Sequence, residues 1–89
     1  MKTQTVPIIN KLGLHARAAS KFVKLASSFS SQVRIIKGGR EANGKSIMGV
    51  MMLAASCGSN VDLIVDGPDE ELALSALTTL IGDRFGEAE

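Results

Sequence analysis

The sequence predicts an α+β fold, an open-faced β-sandwich with three helices on one face of a four-stranded, mainly antiparallel sheet. Strand-like and helical segments follow one another in the order βαββαβα. The strand-like segments carry apolar side chains on one face, which is typical of a sheet covered on one side only. The chain has 89 residues, so we expect a single domain over residues 1–89, with little room for a deep substrate cleft.

The first part of the chain is predicted to form a strand and a helix. Thr3–Ile9 carries Val6 and Ile8 on one face. Pro7 lacks a ladder donor, so this strand is expected at a sheet edge. Ala16–Phe29 predicts a helix, because apolar residues recur at positions i, i+3, i+4 and i+7. These residues are Ala19, Phe22, Val23 and Ala26.

A hairpin and a short helix are predicted next. Gln32–Lys37 and Arg40–Asn43 have the composition of two strands, and Gly38-Gly39 between them is a hairpin-turn signal. Ser46–Leu53 fits a brief helix better than a strand, because its large apolar residues recur at helical spacing. Those residues are Ile47, Met48, Met51 and Met52.

The C-terminal part is predicted to form a strand and a long helix. Asn60–Asp66 alternates apolar and polar residues and therefore fits a half-buried strand. We expect the last helix to begin with Gly67 as its N-cap and Pro68 as its first residue, and to stop near Arg84 and Gly86. The expected apolar stripe of this helix consists of Leu72, Ala73, Ala76, Leu77, Leu80 and Ile81.

Composition excludes several classes of function. The net charge is +1, from ten basic and nine acidic residues, and there is no Trp or Tyr for base stacking, so we expect no nucleic-acid binding. No segment approaches the roughly 18 apolar residues of a membrane span, and the N-terminus does not read as a signal peptide. Cys57 has no second cysteine for a disulfide or a zinc site, and is interpreted as a buried or neutral thiol. These features predict a cytoplasmic protein with no metal and no cofactor.

His15 and Arg17 are the candidate chemical groups. His15 lies where a loop becomes a helix, and the unpaired N–H groups and dipole of a helix start favour an anion. Arg17 can add charge-assisted hydrogen bonds to phosphoryl oxygens. A neutral imidazole is a good nucleophile, so the pair suits reversible phosphoryl transfer. The alternative is a capping histidine beside a solvated arginine.

The predicted first helix also carries a basic stripe. Arg17, Lys21 and Lys24 occur at i, i+4 and i+7, roughly opposite the apolar face. One interpretation is a docking face for an acidic partner, because opposite charge speeds encounter. The other is an ordinary solvated helix face.

The 46–52 segment allows two interpretations as well. It holds three of the four methionines, for which core filling is the default explanation and an adaptable interaction patch is the alternative. Ser46 has the character of an N-cap. A phosphate on Ser46 would suit the helix start electrostatically and would add negative charge beside the docking face. A capping serine without regulation is equally consistent with the chemistry.

Two segments resemble the signature segments of HPr, the histidine-containing phosphocarrier of the bacterial phosphotransferase system. They are Gly13–Ala19, with the sequence GLHARAA, and Lys45–Met51, with the sequence KSIMGVM. The resemblance extends over essentially the whole chain, including the order of the segments and the acidic start of the last helix. The common pattern has proline where Ala18 stands here. Because alanine is a strong helix former, we expect the first helical turn to persist.

The resemblance implies a function and its residues. His15 would be phosphorylated by phosphoenolpyruvate-charged enzyme I, on the ring nitrogen facing the helix start, and Arg17 would stabilise the phosphoryl group. Ser46 would be the regulatory serine of an ATP-dependent HPr kinase/phosphorylase. The phosphoryl group would pass to enzyme IIA-type acceptors, in sugar uptake or in a regulatory, nitrogen-type chain. The implied partner face of this monomer consists of Ser20, Lys21, Lys24, Ile47, Met48 and Met51.

Two other classes of function are alternatives to a carrier. A purely regulatory module would be read through the phosphorylation state of Ser46, and the intact His15 and Arg17 argue against regulation alone. A small phosphohistidine-based hydrolase needs a general acid, and no carboxylate is linked to His15 by motif. A carrier shows no turnover without its partner enzymes, which distinguishes it from a hydrolase.

Overall fold

The computed structural model describes residues 1–89 and consists of four strands, three α-helices and a terminal 3₁₀ turn. The strands are β1 (Lys2–Pro7), β2 (Gln32–Lys37), β3 (Arg40–Asn43) and β4 (Asn60–Asp66). The helices are α1 (Ala16–Ser27), α2 (Ile47–Met52) and α3 (Glu70–Gly82), and the 3₁₀ turn spans Arg84–Gly86. No helix is long and apolar enough to cross a membrane.

The four strands form one sheet in the order β1-β4-β2-β3, with every neighbouring pair antiparallel. This confirms the predicted fold class. β1 lies at an edge, as Pro7 requires, and the proline occupies the last pairing position of that strand. β1 ends two residues earlier than expected. Ile8 leaves the regular ladder but stays fully buried.

The inner strands have the predicted bounds because their local signals are strong. Val61, Leu63 and Val65 of β4 are buried, as the alternation indicated. The turn between β2 and β3 has positive φ at both Gly38 (57°) and Gly39 (81°). A type I′ hairpin turn requires positive φ at both central positions, which glycine adopts without strain.

Helix α1 buries the predicted apolar face against the sheet. Ala19, Phe22, Val23 and Ala26 are all buried, together with Ala18. The helix ends at Ser27 and not at Phe29. Its last turn tightens, since the backbone N–H and the hydroxyl of Ser28 both donate to the carbonyl of Leu25, at 3.1 and 2.6 Å.

The predicted start of α3 was wrong. Glu70 is the first helical residue and Asp69 is the N-cap, so Pro68 lies outside the helix. The Asp69 side chain does not cap its own helix. Its carboxylate accepts from the backbone N–H groups of Ser30 and Ser31, at 2.8 and 2.9 Å, and from the Ser31 hydroxyl. It therefore ties the start of α3 to the residues that precede β2.

The expectation for Leu72 was wrong, and so was the first of the two alternatives for Cys57, a buried thiol. Leu72 is 70% exposed, because it lies about 100° around the helix from Ala73, on the side away from Leu77 and Ile81. Leu74 packs against the core instead. Cys57 is exposed and not buried, since it lies in the turn between α2 and β4, where its thiol approaches only the Ile9 carbonyl, at 3.8 Å.

The Asp69 contacts predict a pH dependence of folding stability. The Ser31 hydroxyl, and after it the Ser30 N–H, hold the pKa of Asp69 below its ordinary value of 3.8. A carboxyl with a depressed folded-state pKa stabilises the fold above its unfolded-state pKa, and this contribution disappears as pH falls through the folded-state value. We expect Asp69→Asn to be less stable than the native chain at pH 7, with the difference shrinking from about pH 5 towards pH 2.

Urea unfolding at a series of pH values measures this difference. Asp83→Asn is the matched control, because the Asp83 side chain makes no capping hydrogen bond. A gap between native and Asp69→Asn that stays constant down to pH 2 would contradict the assignment.

Candidate functional site

The loop before α1 is docked on the chain that follows α2. The Leu14 N–H donates to the Ala55 carbonyl at 2.8 Å, and the Leu14 side chain is buried. Gly13 has a φ of +67°, and a Cβ at this position would lie 2.4 Å from the Ala55 carbonyl oxygen. Only glycine permits both this conformation and this close approach. The loop is therefore held firmly where it delivers the next residue, His15.

His15 is the N-cap residue of α1. Its backbone is extended and its carbonyl accepts from the Ala19 N–H at 2.8 Å, but its side chain makes no capping hydrogen bond. The imidazole is therefore available for other contacts, beside a helix start whose N–H groups and dipole favour an anion. The first turn is intact with Ala18 fully buried in it, so the expected persistence of this turn is confirmed.

Glu87 contacts the imidazole, and the sequence did not reveal this contact. Its Oε2 lies against Nε2 of His15, with the histidine side chain 29% and the glutamate side chain 12% exposed. The two residues are 72 positions apart, and no motif joins them. Spacing alone could not have identified this partner, because the chain returns to His15 only after α3 and the 3₁₀ turn.

Asn10 holds the Glu87 carboxylate in place. Its amide nitrogen donates to Oε1 of Glu87 at 3.0 Å and to the Gly13 carbonyl at 2.8 Å. Asn10 is fully buried although it is polar. The hydrogen bonds from Asn10 and then His15 lower the pKa of Glu87, with a further contribution from the charge of Arg17. Glu87 is therefore ionised at neutral pH.

The C-terminal residues 84–89, which we term the tail, are anchored to the body of the protein. Phe85 is fully buried. Arg84 and Phe85 both have positive φ, 54° and 55°, which is an uncommon conformation for residues other than glycine. The Lys21 ammonium donates to the Phe85 carbonyl at 2.6 Å, and the Lys11 N–H donates to the Glu89 carbonyl at 3.0 Å. The tail thus has a defined path past His15.

An open groove surrounds the imidazole. One side is formed by the start of α1 and the loop before it, and the other by the tail. Three cationic side chains line the groove, namely those of Lys11, Arg17 and Lys21. The predicted pair His15 and Arg17 therefore does share one site, and the tail adds a carboxylate to it.

The second predicted segment forms an exposed apolar surface. Ile47, Met48 and Met51 are exposed, the last two by 70% and 37%, whereas Val50 faces inward and is buried. Core filling was therefore the wrong interpretation of these methionines. Ser46 is the N-cap of α2, as predicted, and its hydroxyl oxygen accepts from the Gly49 N–H at 3.1 Å. α2 packs beside α1, on which Ser20 and Lys24 are exposed.

Fold and site together define a class of protein, a small open-faced β-sandwich with a histidine at a helix start in an open, cation-lined groove. The family model described as the PTS HPr component phosphorylation site matches residues 2–83. The chain therefore belongs to the HPr family of phosphocarrier proteins of the phosphotransferase system.

The chain is similar to known HPr proteins over its full length. The phosphocarrier protein HPr of Cupriavidus necator is 57% identical over 100% of both chains. A solved HPr structure from Thermoanaerobacter tengcongensis superposes with a TM-score of 0.96 at 50% identity, over 100% of both chains. A structure described as an HPr dimer from the same organism has a TM-score of 0.79 at 52% identity, over 98% of this chain and 100% of that one.

Proposed function

We propose that this protein accepts a phosphoryl group on His15 from phosphorylated enzyme I and passes it to enzyme IIA-type acceptors. The observation that carries the proposal is the position of His15, the only histidine of the chain, at the start of α1 in an open groove. An open site suits a group that two successive protein partners must reach.

The transfer itself needs little from the carrier besides position and charge. A lone pair of a ring nitrogen of His15 attacks the phosphorus of the phosphorylated donor. The bond from phosphorus to the donor nitrogen breaks, and its electron pair returns to the donor ring. Arg17 and the N–H groups at the start of α1 offset the charge of the three phosphoryl oxygens. The same steps in reverse deliver the group to an acceptor.

The partner face combines charge with an apolar patch. Ser20, Lys21 and Lys24 are exposed on α1, and Ile47, Met48 and Met51 are exposed on α2, which packs beside α1. An acidic partner would be steered by the lysines and would then bury the methionines, which adapt to differently shaped surfaces. Lys21 keeps two free donors and its charge while one donor binds the Phe85 carbonyl. We also propose that the protein works as a monomer, since residues of one chain line the groove at His15, and that it is cytoplasmic, as membership of the HPr family implies.

Ser46 is proposed as a regulatory phosphorylation site. Its hydroxyl is half-buried at the start of α2, adjacent to the exposed Ile47 and Met48. A phosphate there would add negative charge to a face that binds an acidic donor. We expect Ser46→Asp to slow phosphorylation of His15 by enzyme I about tenfold at low salt, with a smaller effect at high salt.

Ser46→Asn is the matched control for this charge. Asparagine and aspartate are equally good N-cap residues, so the two variants differ in charge and not in capping. Initial rates of phosphorylation measure the effect at two ionic strengths. If both variants behave as the native chain, the proposed regulation by charge is wrong.

A transfer assay separates the carrier from its alternatives. We expect isolated phosphorylated protein to release phosphate slowly, and to lose its phosphoryl group rapidly when a purified enzyme IIA-type acceptor is added. Rapid release of phosphate from the isolated protein, without a partner, would indicate a hydrolase. Absence of transfer to any acceptor would favour the purely regulatory module read through Ser46.

A further inference from the structure

The contact between Glu87 and His15 is built by several independent anchors. Phe85 buries the root of the tail, and Lys21 binds the Phe85 carbonyl. Asn10 fixes one oxygen of the Glu87 carboxylate and leaves the other for Nε2 of His15. The amide of Asn10 has one orientation only, because both its neighbours, the Gly13 carbonyl and the Glu87 carboxylate, are acceptors. The carboxylate therefore has a defined direction towards the ring.

We propose that Glu87 is a positioning residue that keeps the proton of the neutral imidazole on Nε2 and leaves Nδ1 as the nucleophile. The inference rests on the proposed function of His15 and adds a role for Glu87 to it. An ionised carboxylate accepts hydrogen bonds and cannot donate them, so the nitrogen facing it must carry the proton. The partner of one imidazole nitrogen decides the tautomer of the whole ring.

The same carboxylate stabilises the phosphorylated state. When Nδ1 attacks phosphorus, Nε2 keeps its proton and the ring becomes cationic. Glu87 offsets that charge across the Nε2–H hydrogen bond, while Arg17 and the helix start offset the charge of the phosphoryl oxygens. On transfer to an acceptor, the bond between Nδ1 and phosphorus breaks, its electron pair returns to Nδ1, and the ring is again neutral with its proton on Nε2. Glu87 gains no proton in either direction.

Glu87→Gln tests this assignment because the Asn10 amide dictates how a glutamine would lie. The Asn10 NH₂ group requires the glutamine carbonyl on its side, so the glutamine NH₂ group faces Nε2 of His15. That donor favours a lone pair on Nε2 and moves the proton to Nδ1. We expect the neutral ring to change from the Nε2–H tautomer to a population dominated by Nδ1–H, and phosphorylation by enzyme I to slow at least about tenfold.

Ring ¹⁵N chemical shifts of the unphosphorylated protein measure the tautomer directly, at a pH where the ring is neutral. Glu89→Gln is the matched control, since its side chain lies in the same tail, is 72% exposed and pairs only with Lys11. An unchanged tautomer in Glu87→Gln would overturn the inference. This readout does not depend on enzyme I, so it cannot be confused with a failure of the proposed function.

A second test combines the variant Glu87→Ala with a small chemical phosphoryl donor. With phosphoramidate as the phosphoryl source, we expect the native chain and Glu89→Ala to carry the group on Nδ1 alone. Glu87→Ala uncovers Nε2, so we expect a mixture of both ring isomers, resolved by ³¹P and ¹⁵N spectra. Native protein phosphorylated on Nε2, or a Glu87→Ala product identical to the native one, would contradict the assignment.

Discussion

His15→Ala is expected to abolish phosphoryl acceptance while the fold stays intact. The substitution removes the only imidazole of the chain. The His15 side chain makes no capping bond, so the helix start loses no hydrogen bond, but the bond to Glu87 is lost, and we expect a stability loss of about 1–3 kcal/mol. Intact mass after incubation with enzyme I and phosphoenolpyruvate measures acceptance, and urea unfolding measures stability.

Ser46→Ala is the comparison variant for this experiment. It removes the other proposed phosphorylation site and a cap worth about 1 kcal/mol, but leaves the imidazole in place. We expect it to gain one phosphoryl group as the native chain does. A phosphoryl group retained on His15→Ala and lost from Ser46→Ala would reverse the assignment of the two sites.

Gly13→Ala, which adds one methyl group to the loop that carries His15, is expected to destabilise the fold strongly. The new Cβ would lie 2.4 Å from the Ala55 carbonyl oxygen and 2.9 Å from the Ser56 Cα, both backbone atoms, and alanine would be forced to a φ of +67°. Left-handed strain and overpacking together cost about 2–4 kcal/mol. For a domain of this size we expect Tm to fall by roughly 10 °C or more, and phosphorylation of His15 to slow as the loop shifts.

Gly82→Ala is the matched control, because no atom lies within 4 Å of the added Cβ and the residue is helical. We expect this variant to equal or exceed the native chain in stability, by up to about 1 kcal/mol. Thermal unfolding compares the two. A Gly13→Ala protein as stable as Gly82→Ala would show that the close approach to Ala55 does not constrain the loop.

Segments with strong local signals were predictable from sequence. The bounds of β2, β3 and β4 follow from alternation and from Gly38-Gly39, whose positive φ values need no tertiary support. The buried face of α1 follows in the same way from helical periodicity. His15 was predictable as a site residue, because a helix start favours an anion whatever the rest of the chain does.

Features set by distant contacts were not predictable. Asp69 was expected in the first turn of α3 but is its N-cap residue. Its carboxylate accepts hydrogen bonds from the Ser30 and Ser31 N–H groups, which are far away in the sequence. The Met48 and Met51 side chains have helical spacing, but spacing does not tell which side of α2 faces outward, and this is set by its packing, in which Val50 is buried. Glu87 reaches His15 through a tail with two residues at positive φ, a path that no periodicity indicates.

The measurement that tests the central claim most directly is the intact mass of the native protein after incubation with phosphoenolpyruvate and purified enzyme I. We predict a gain of one phosphoryl group that requires enzyme I, persists at neutral or alkaline pH and is lost in acid, as a phosphorus–nitrogen bond requires. No mass gain with a cognate enzyme I, or a gain that survives acid, would contradict a carrier that works through His15.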